Sequence, residues 1–205
     1  MRNTWRIALK EIRAYFTSPA AYVVAFIFLA LTGYFFVRSV DSSLGGSLPE
    51  ASLRGLFRPM SLFILPWLAP LLTMRLLAEE QKIGTIELLL TAPVRDWEVV
   101  MGKFLASLTF YLGTLILTLW YVLLLVWRGD PEPGPLLSGY LGFILYGSAA
   151  LSIGLLASSL TNNQIVAAVL SMGLLVLLTF LEVGADQVTG IGSTILGQMG
   201  ITTHY

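Results

Sequence analysis

The chain has 205 residues, 56% of them hydrophobic and 12% charged, with zero formal net charge and a mean hydropathy of +0.80. Soluble domains carry about 25% charged residues, so this composition excludes a water-facing globule and makes lipid the solvent. Zero net charge provides no basic field for nucleic-acid phosphates, so no nucleic-acid partner is expected, and the absence of cysteine excludes disulfides, thiolate metal sites and a cysteine nucleophile.

The first element is residues 1–18. Trp5, Leu9, Ile12 and Phe16 recur at helical spacing, and Arg6, Lys10 and Arg13 follow one residue later in the same rhythm. That pattern predicts an amphipathic helix lying in the membrane interface, apolar face down and cations toward the headgroups. The plainer alternative is a basic topogenic flank with no fixed geometry. Ala20–Val37 is an uncharged run of 18 residues, longer than the roughly 7–15 of a signal-peptide core and without a clear cleavage site, so it reads as a retained span. Pro19 suits its first turn. The next loop has room for a small external helix near Pro49–Phe57. Arg58 and Arg75 then bracket a second span, in which Pro66 and Pro70 should produce a kink.

Phe104–Trp127 is the third predicted span, and Leu136–Leu160 and Ile165–Leu181 are the fourth and fifth, separated by the polar hinge Thr161-Asn162-Asn163-Gln164. Four polar residues in a row are costly in lipid, so the apolar run is broken there into two antiparallel helices. Ala150, Gly154 and Ser158 on the fourth span, and Ala167 and Ser171 on the fifth, recur every four residues. Small residues at that spacing let helix backbones approach closely. Packing within one bundle and a subunit interface both remain open. With the N-terminus inside, Arg2, Arg6, Lys10, Arg13, Arg75, Lys82, Arg95 and Lys103 are internal, eight in all, against Arg38, Arg54, Arg58 and Arg128, four, outside. The asymmetry places the N-terminus in the cytoplasm.

Membrane catalysis finds no support. The span centres hold no ionisable residue, where one would signal a proton relay or an ion pathway. Gly147-Ser148 and Gly192-Ser193 have no membrane histidine to act as base, and the single His204 reads as a solvated tail residue. Gly102-Lys103 is followed by Phe104, so it is not a phosphate-binding loop.

The segment 79–103 is the most structured of the polar stretches. Glu79 and Glu80 extend the second helix out of the membrane, and Gly84 should end it. Thr85 can cap a short helix over Ile86–Thr91, with Glu87 in its first turn. Pro93 stops that helix, and Asp96 can cap the next, with Glu98 following. A six-residue helix is unstable alone in water, so the membrane surface, this bundle or another protein must bury its Ile86, Leu89 and Leu90; the flanking acids disfavour an anionic membrane surface, and a partner's groove with some basic residues fits better.

"EEQKIGTIELLLTAPVRDWEVVMGKF" resembles the first cytoplasmic loop of ABC-2-type permease subunits, with Glu79, Glu80, Gly84, Thr85, Glu87, Leu89, Leu90, Pro93, Val94, Gly102 and Lys103 at the pattern positions. "KEIRAYFTSPAAYVV", "LLTMRLLAEE" and "SSLTNNQIVAA" are similar to the gliding-motility (GldF-like) branch. The resemblance covers essentially the whole chain. It implies one all-α transmembrane domain over 1–205, with an N-terminal interfacial connecting helix and a cytoplasmic coupling helix between spans two and three. That helix, with Glu79, Glu80, Gly84, Thr85, Ile86, Glu87, Leu89, Leu90 and Pro93, is expected to dock on a separate cytoplasmic ABC ATPase. ATP and Mg would belong to that ATPase, with no cofactor on this chain. A second permease subunit is expected beside this one, in a bacterial inner membrane. The family has six spans and this sequence shows five, so a continuation beyond Tyr205 is expected. The implied function is coupling of ATP hydrolysis to export or to assembly of surface or motility machinery. The alternative is a non-transporting anchor that recruits a cytoplasmic protein.

Overall fold

The structure is a computed structural model that describes residues 2–44, 60–84, 95–128 and 133–185. Among these residues every regular element is helical. The elements are α1 (Arg2–Thr17), α2 (Pro19–Leu44), a π-helical turn (Met60–Ile64), α3 (Leu65–Thr73), α4 (Ala78–Ile83), α5 (Asp96–Arg128), α6 (Pro133–Ser159) and α7 (Gln164–Ala185). Four helices are long and apolar enough to cross a membrane: α2, α5, α6 and α7. Their outward faces are apolar, with Phe26, Leu123 and Phe180 all more than half exposed, as lipid contact permits. Trp67, Trp120 and Trp127 also point outward.

α5 is the organising element. Its 33 residues span about 50 Å at 1.5 Å per residue, more than a bilayer core of about 30 Å requires. Three of this helix's charges gather in its first turns, from Asp96 to Lys103, and α1 packs along it. α2 and α6 flank the same helix, while α3 packs against α2, α6 and α7. Burial follows from that placement: seven of the nine residues of α3 are buried.

Apolar packing gives little direction inside lipid, because tails and side chains are alike. Tyrosine hydroxyls supply part of the direction. Tyr111 donates to the Phe143 carbonyl (2.8 Å), joining α5 to α6, and Tyr121 donates to Leu29 (3.0 Å), joining α5 to α2. Tyr146 of α6 donates to Ser61 of the π turn (3.3 Å).

The second predicted span departs from a simple kinked helix. It is divided into the π turn, α3, a turn over residues 74–77 and α4. Pro66 and Pro70 contribute, since neither offers an N–H to the helical ladder. The larger break lies beyond them and is made by side chains from elsewhere. The Leu76 N–H bonds Thr73 O (3.0 Å), while the Leu72 carbonyl accepts the Tyr15 hydroxyl (2.6 Å). Ser158 Oγ then accepts the N–H groups of Leu77 (3.1 Å) and Ala78 (3.0 Å) and donates to Met74 O (3.1 Å). A hydroxyl inserted into the ladder bends a helix in this way. The Leu77 and Ala78 N–H groups and the Met74 carbonyl thus find their partner in Ser158 rather than in the helix itself.

Several local signals act as expected. Gly84 ends α4 in the left-handed region, φ 76°, with its N–H on Gln81 O (3.2 Å). The polar hinge separates α6 from α7, and Asn163 caps α7 by accepting the Ile165 N–H (2.9 Å). At α5 the capping differs in detail. Arg95, not Asp96, precedes the helix and its carbonyl takes the Glu98 N–H (2.8 Å), while the Glu98 carboxylate accepts the Arg95 N–H (3.3 Å). That reciprocal pair is half of a capping box, with Glu98 rather than Asp96 supplying the side chain. The external helix near Pro49–Phe57 lies outside the described residues.

Candidate functional site

The ion pairs of Lys103, with Glu11 and with Glu80, lie where α1, α4 and α5 meet. α1 has three faces. Trp5, Leu9 and Phe16 are exposed, Trp5 by 60% and Phe16 by 53%, while Ile12 is partly buried against the core. Arg6, Lys10 and Arg13 are exposed on the next face. The third face, Thr4, Ala8, Glu11 and Tyr15, packs toward α5, with Thr4, Ala8 and Tyr15 buried. It was not anticipated, although its spacing repeats the Trp5 stripe one residue earlier. Gly102 permits the approach: a methyl group there would lie 2.8 Å from Ile7 and 3.0 Å from Thr4 O. Tyr15 stacks on Phe110 at 5.1 Å between ring centroids, and Phe16 meets the same ring edge-on.

Lys103 is the centre of this junction. It is 2% exposed, and its Nζ pairs with Glu11 (3.1 Å) on α1 and Glu80 (2.8 Å) on α4. One buried cation thus holds three elements. Its position, directly before the apolar run that starts at Phe104, is the signal in the sequence that could have marked it. The same pairing gives Glu80, expected as a docking residue, a partner within the chain. Asn3 adds a second tie, donating to Glu98 on α5 (3.3 Å). On the other side, the Gln81 amide donates to Ser159 O (2.9 Å), so α4 is also fastened to the end of α6.

Between α1 and the broken helix lies a cavity of about 430 Å³. Lys10, Glu11, Arg75, Glu79, Glu80 and Lys103 supply its charges. The Arg75 guanidinium lies over the Tyr15 ring, 5.8 Å from its centroid. Burial pushes the Tyr15 phenol well above its ordinary range, so it remains a donor to Leu72 O.

The small-residue positions are all interior. Ala150, Gly154 and Ser158 of α6, and Ala167 and Ser171 of α7, are buried within the chain. A methyl group at Gly154 would collide with Thr73 of α3 and lie 3.2 Å from Ser171 Oγ of α7. Ser158 plugs the break in the neighbouring helix. Of the docking residues read from sequence, Thr85, Ile86, Glu87, Leu89, Leu90 and Pro93 lie outside the described residues. Glu79, Glu80 and Gly84 lead directly into them. Among the described residues no cluster of acidic, histidine or cysteine side chains could hold a metal ion.

A protein named as a probable multidrug ABC transporter permease, YbhR, from Escherichia coli (strain K12), is 30% identical over 90 residues, which is 42% of this chain and 23% of that protein. Its counterpart in Escherichia coli O157:H7 matches to the same extent. The aligned region is thus under a quarter of those relatives' length. No solved structure matches the chain. The family model described as ABC-2 family transporter protein matches residues 5–189, and the chain belongs to that family.

Proposed function

We propose that this chain is a membrane-spanning permease subunit moved by a separate cytoplasmic ATPase. In this reading the N-terminus faces the cytoplasm of a bacterial cell, and the apolar segment Ile86–Thr91 is the handle on which the ATPase docks. ATP and Mg are the partner's. The observation that carries the proposal is the Lys103 junction. α4, the last element before that segment, is ion-paired through Lys103 to both α1 and α5. A displacement of residues 85–94 therefore reaches three elements through a rigid contact, rather than dissipating in a loop. α5 carries it across the bilayer, and the α3–α4 break gives the neighbouring helix a place to bend.

The work supported this way is export, or energised assembly of surface machinery as in the gliding-motility branch, with a second permease subunit beside this one. Span centres without charges suit a lipid-linked, hydrophobic or large polymeric cargo, and equally a system with no cargo. The test is co-purification. Leu89→Asp or Glu87→Arg leaves membrane insertion intact and abolishes recovery of the ATPase with this chain. Unchanged recovery with both variants would remove the docking role. Retained recovery without permease-dependent ATP hydrolysis would instead favour an anchor that merely recruits its partner.

A further inference from the structure

The cavity between α1 and the broken helix has no part in the ATPase-docking reading. Its volume, about 430 Å³, falls within the range of small-molecule sites, roughly 300–1,000 Å³. Its depth is set by what borders it. Thr17 and Ser18 line it at the corner where α1 turns into α2. At that corner the Tyr22 hydroxyl donates to Phe16 O (2.8 Å), and both rings are more than half exposed. Exposed aromatic residues beside the end of a span mark the headgroup level of a bilayer.

The charges select the ligand. Six charged side chains line the cavity: Lys10, Arg75 and Lys103 against Glu11, Glu79 and Glu80, which sum to zero. Lys103 is committed to Glu11 and Glu80. Among the described residues Lys10, Arg75 and Glu79 enter no ion pair. Two cations and one carboxylate therefore face the same space. Arg75 is already steadied over the Tyr15 ring, and a guanidinium matches the two free oxygens of a phosphodiester. A ligand with a phosphate alone would leave Glu79 facing a second anion. A ligand with a phosphate and a primary ammonium satisfies both sides and keeps the cavity neutral.

We propose that this cavity binds the headgroup of an aminophospholipid, its phosphodiester on Arg75 and Lys10 and its ammonium on Glu79. The bound lipid sits between α1 and the α3–α4 break. The inference stands on membrane insertion and is independent of ATPase docking.

The experiment is native mass spectrometry of the full chain in detergent, titrated separately with phosphatidylethanolamine, phosphatidylcholine, phosphatidylglycerol and inorganic phosphate. The wild type retains phosphatidylethanolamine over the other two lipids by about tenfold, a difference of about 1.4 kcal/mol. Arg75→Gln loses that retention. Glu79→Gln, which removes only the carboxylate, shifts preference toward phosphatidylglycerol. Equal retention by wild type and Arg75→Gln, or an unaltered lipid order in Glu79→Gln, overturns the proposal. Displacement of the lipid by inorganic phosphate would make this a free-anion site and also overturns it. Should Arg75→Gln elute as aggregate, Lys10→Gln, at an exposed position, replaces it with the same expectation. No ATPase is present in these measurements, so their failure leaves the docking reading untouched, and the reverse holds for the co-purification test.

Discussion

Replacing Ser158 by alanine removes one oxygen and leaves three backbone groups without their partner: the N–H of Leu77, the N–H of Ala78 and the carbonyl of Met74. The two N–H groups are buried and the carbonyl partly so, around a Ser158 that is 0% exposed. Side-chain hydrogen bonds between membrane helices average about 0.6 kcal/mol each, with larger cases near 1.7. Three of them set an expected loss of about 2 kcal/mol, and the cost of unsatisfied buried groups pushes it upward. For a chain of this size that corresponds to a fall in Tm of about 4–8 °C, using the scaling for soluble proteins. Ser171 is the internal control. It is as buried, at 1% exposed, but its Oγ has no hydrogen-bond partner in the structure. Ser171→Ala therefore removes an unsatisfied hydroxyl, and the expected change is within about 0.5 kcal/mol of zero or stabilising. Thermal unfolding of both variants in one detergent, followed by circular dichroism, separates the two cases. Equal losses would refute the reasoning, because the two substitutions delete the same atom and differ only in what that atom touches.

Lys103→Met strands Glu11 and Glu80 beside each other and lowers stability by about 2–4 kcal/mol, less than a fully buried pair because both carboxylates are partly exposed. Adding Glu11→Gln and Glu80→Gln restores most of it; a triple variant no more stable than the single one in thermal unfolding would contradict the pairing. Gly102→Val drives a side chain into Ile7 and Thr4 and should detach α1 from α5, seen as proteolysis of the N-terminal helix at temperatures where the wild type resists. Gly84→Ala forces alanine to φ 76° and costs about 1 kcal/mol, read as a lower Tm. The chain has no cysteine, so single cysteines at Lys82 and at Gly134 are specific labels. They should react with an impermeant maleimide from opposite sides of the membrane, and labelling from one side would remove the proposed topology.

Much of this protein is decided by local chemistry. The apolar runs, the polar hinge at 161–164, the capping by Asn163 and the stop at Gly84 depend on residues within a turn of each other, and their spacing in the chain is their spacing in the helix. The Trp5 and Arg6 stripes of α1 are periodic for the same reason. Tertiary structure decided the rest. Nothing in Met74-Arg75-Leu76-Leu77 forbids a helix, since these are good helix formers with no glycine or proline among them. The helix breaks there because Tyr15, 57 positions upstream of Leu72, takes one carbonyl, and Ser158, 84 positions downstream of Met74, fills the gap in the ladder. The destinations of Lys103 and of the Thr4–Tyr15 face are set in the same way, by which helices pack side by side. A hydrogen bond between distant residues in lipid depends on the arrangement of the whole bundle, and neither residue's neighbours in the chain carry a trace of it.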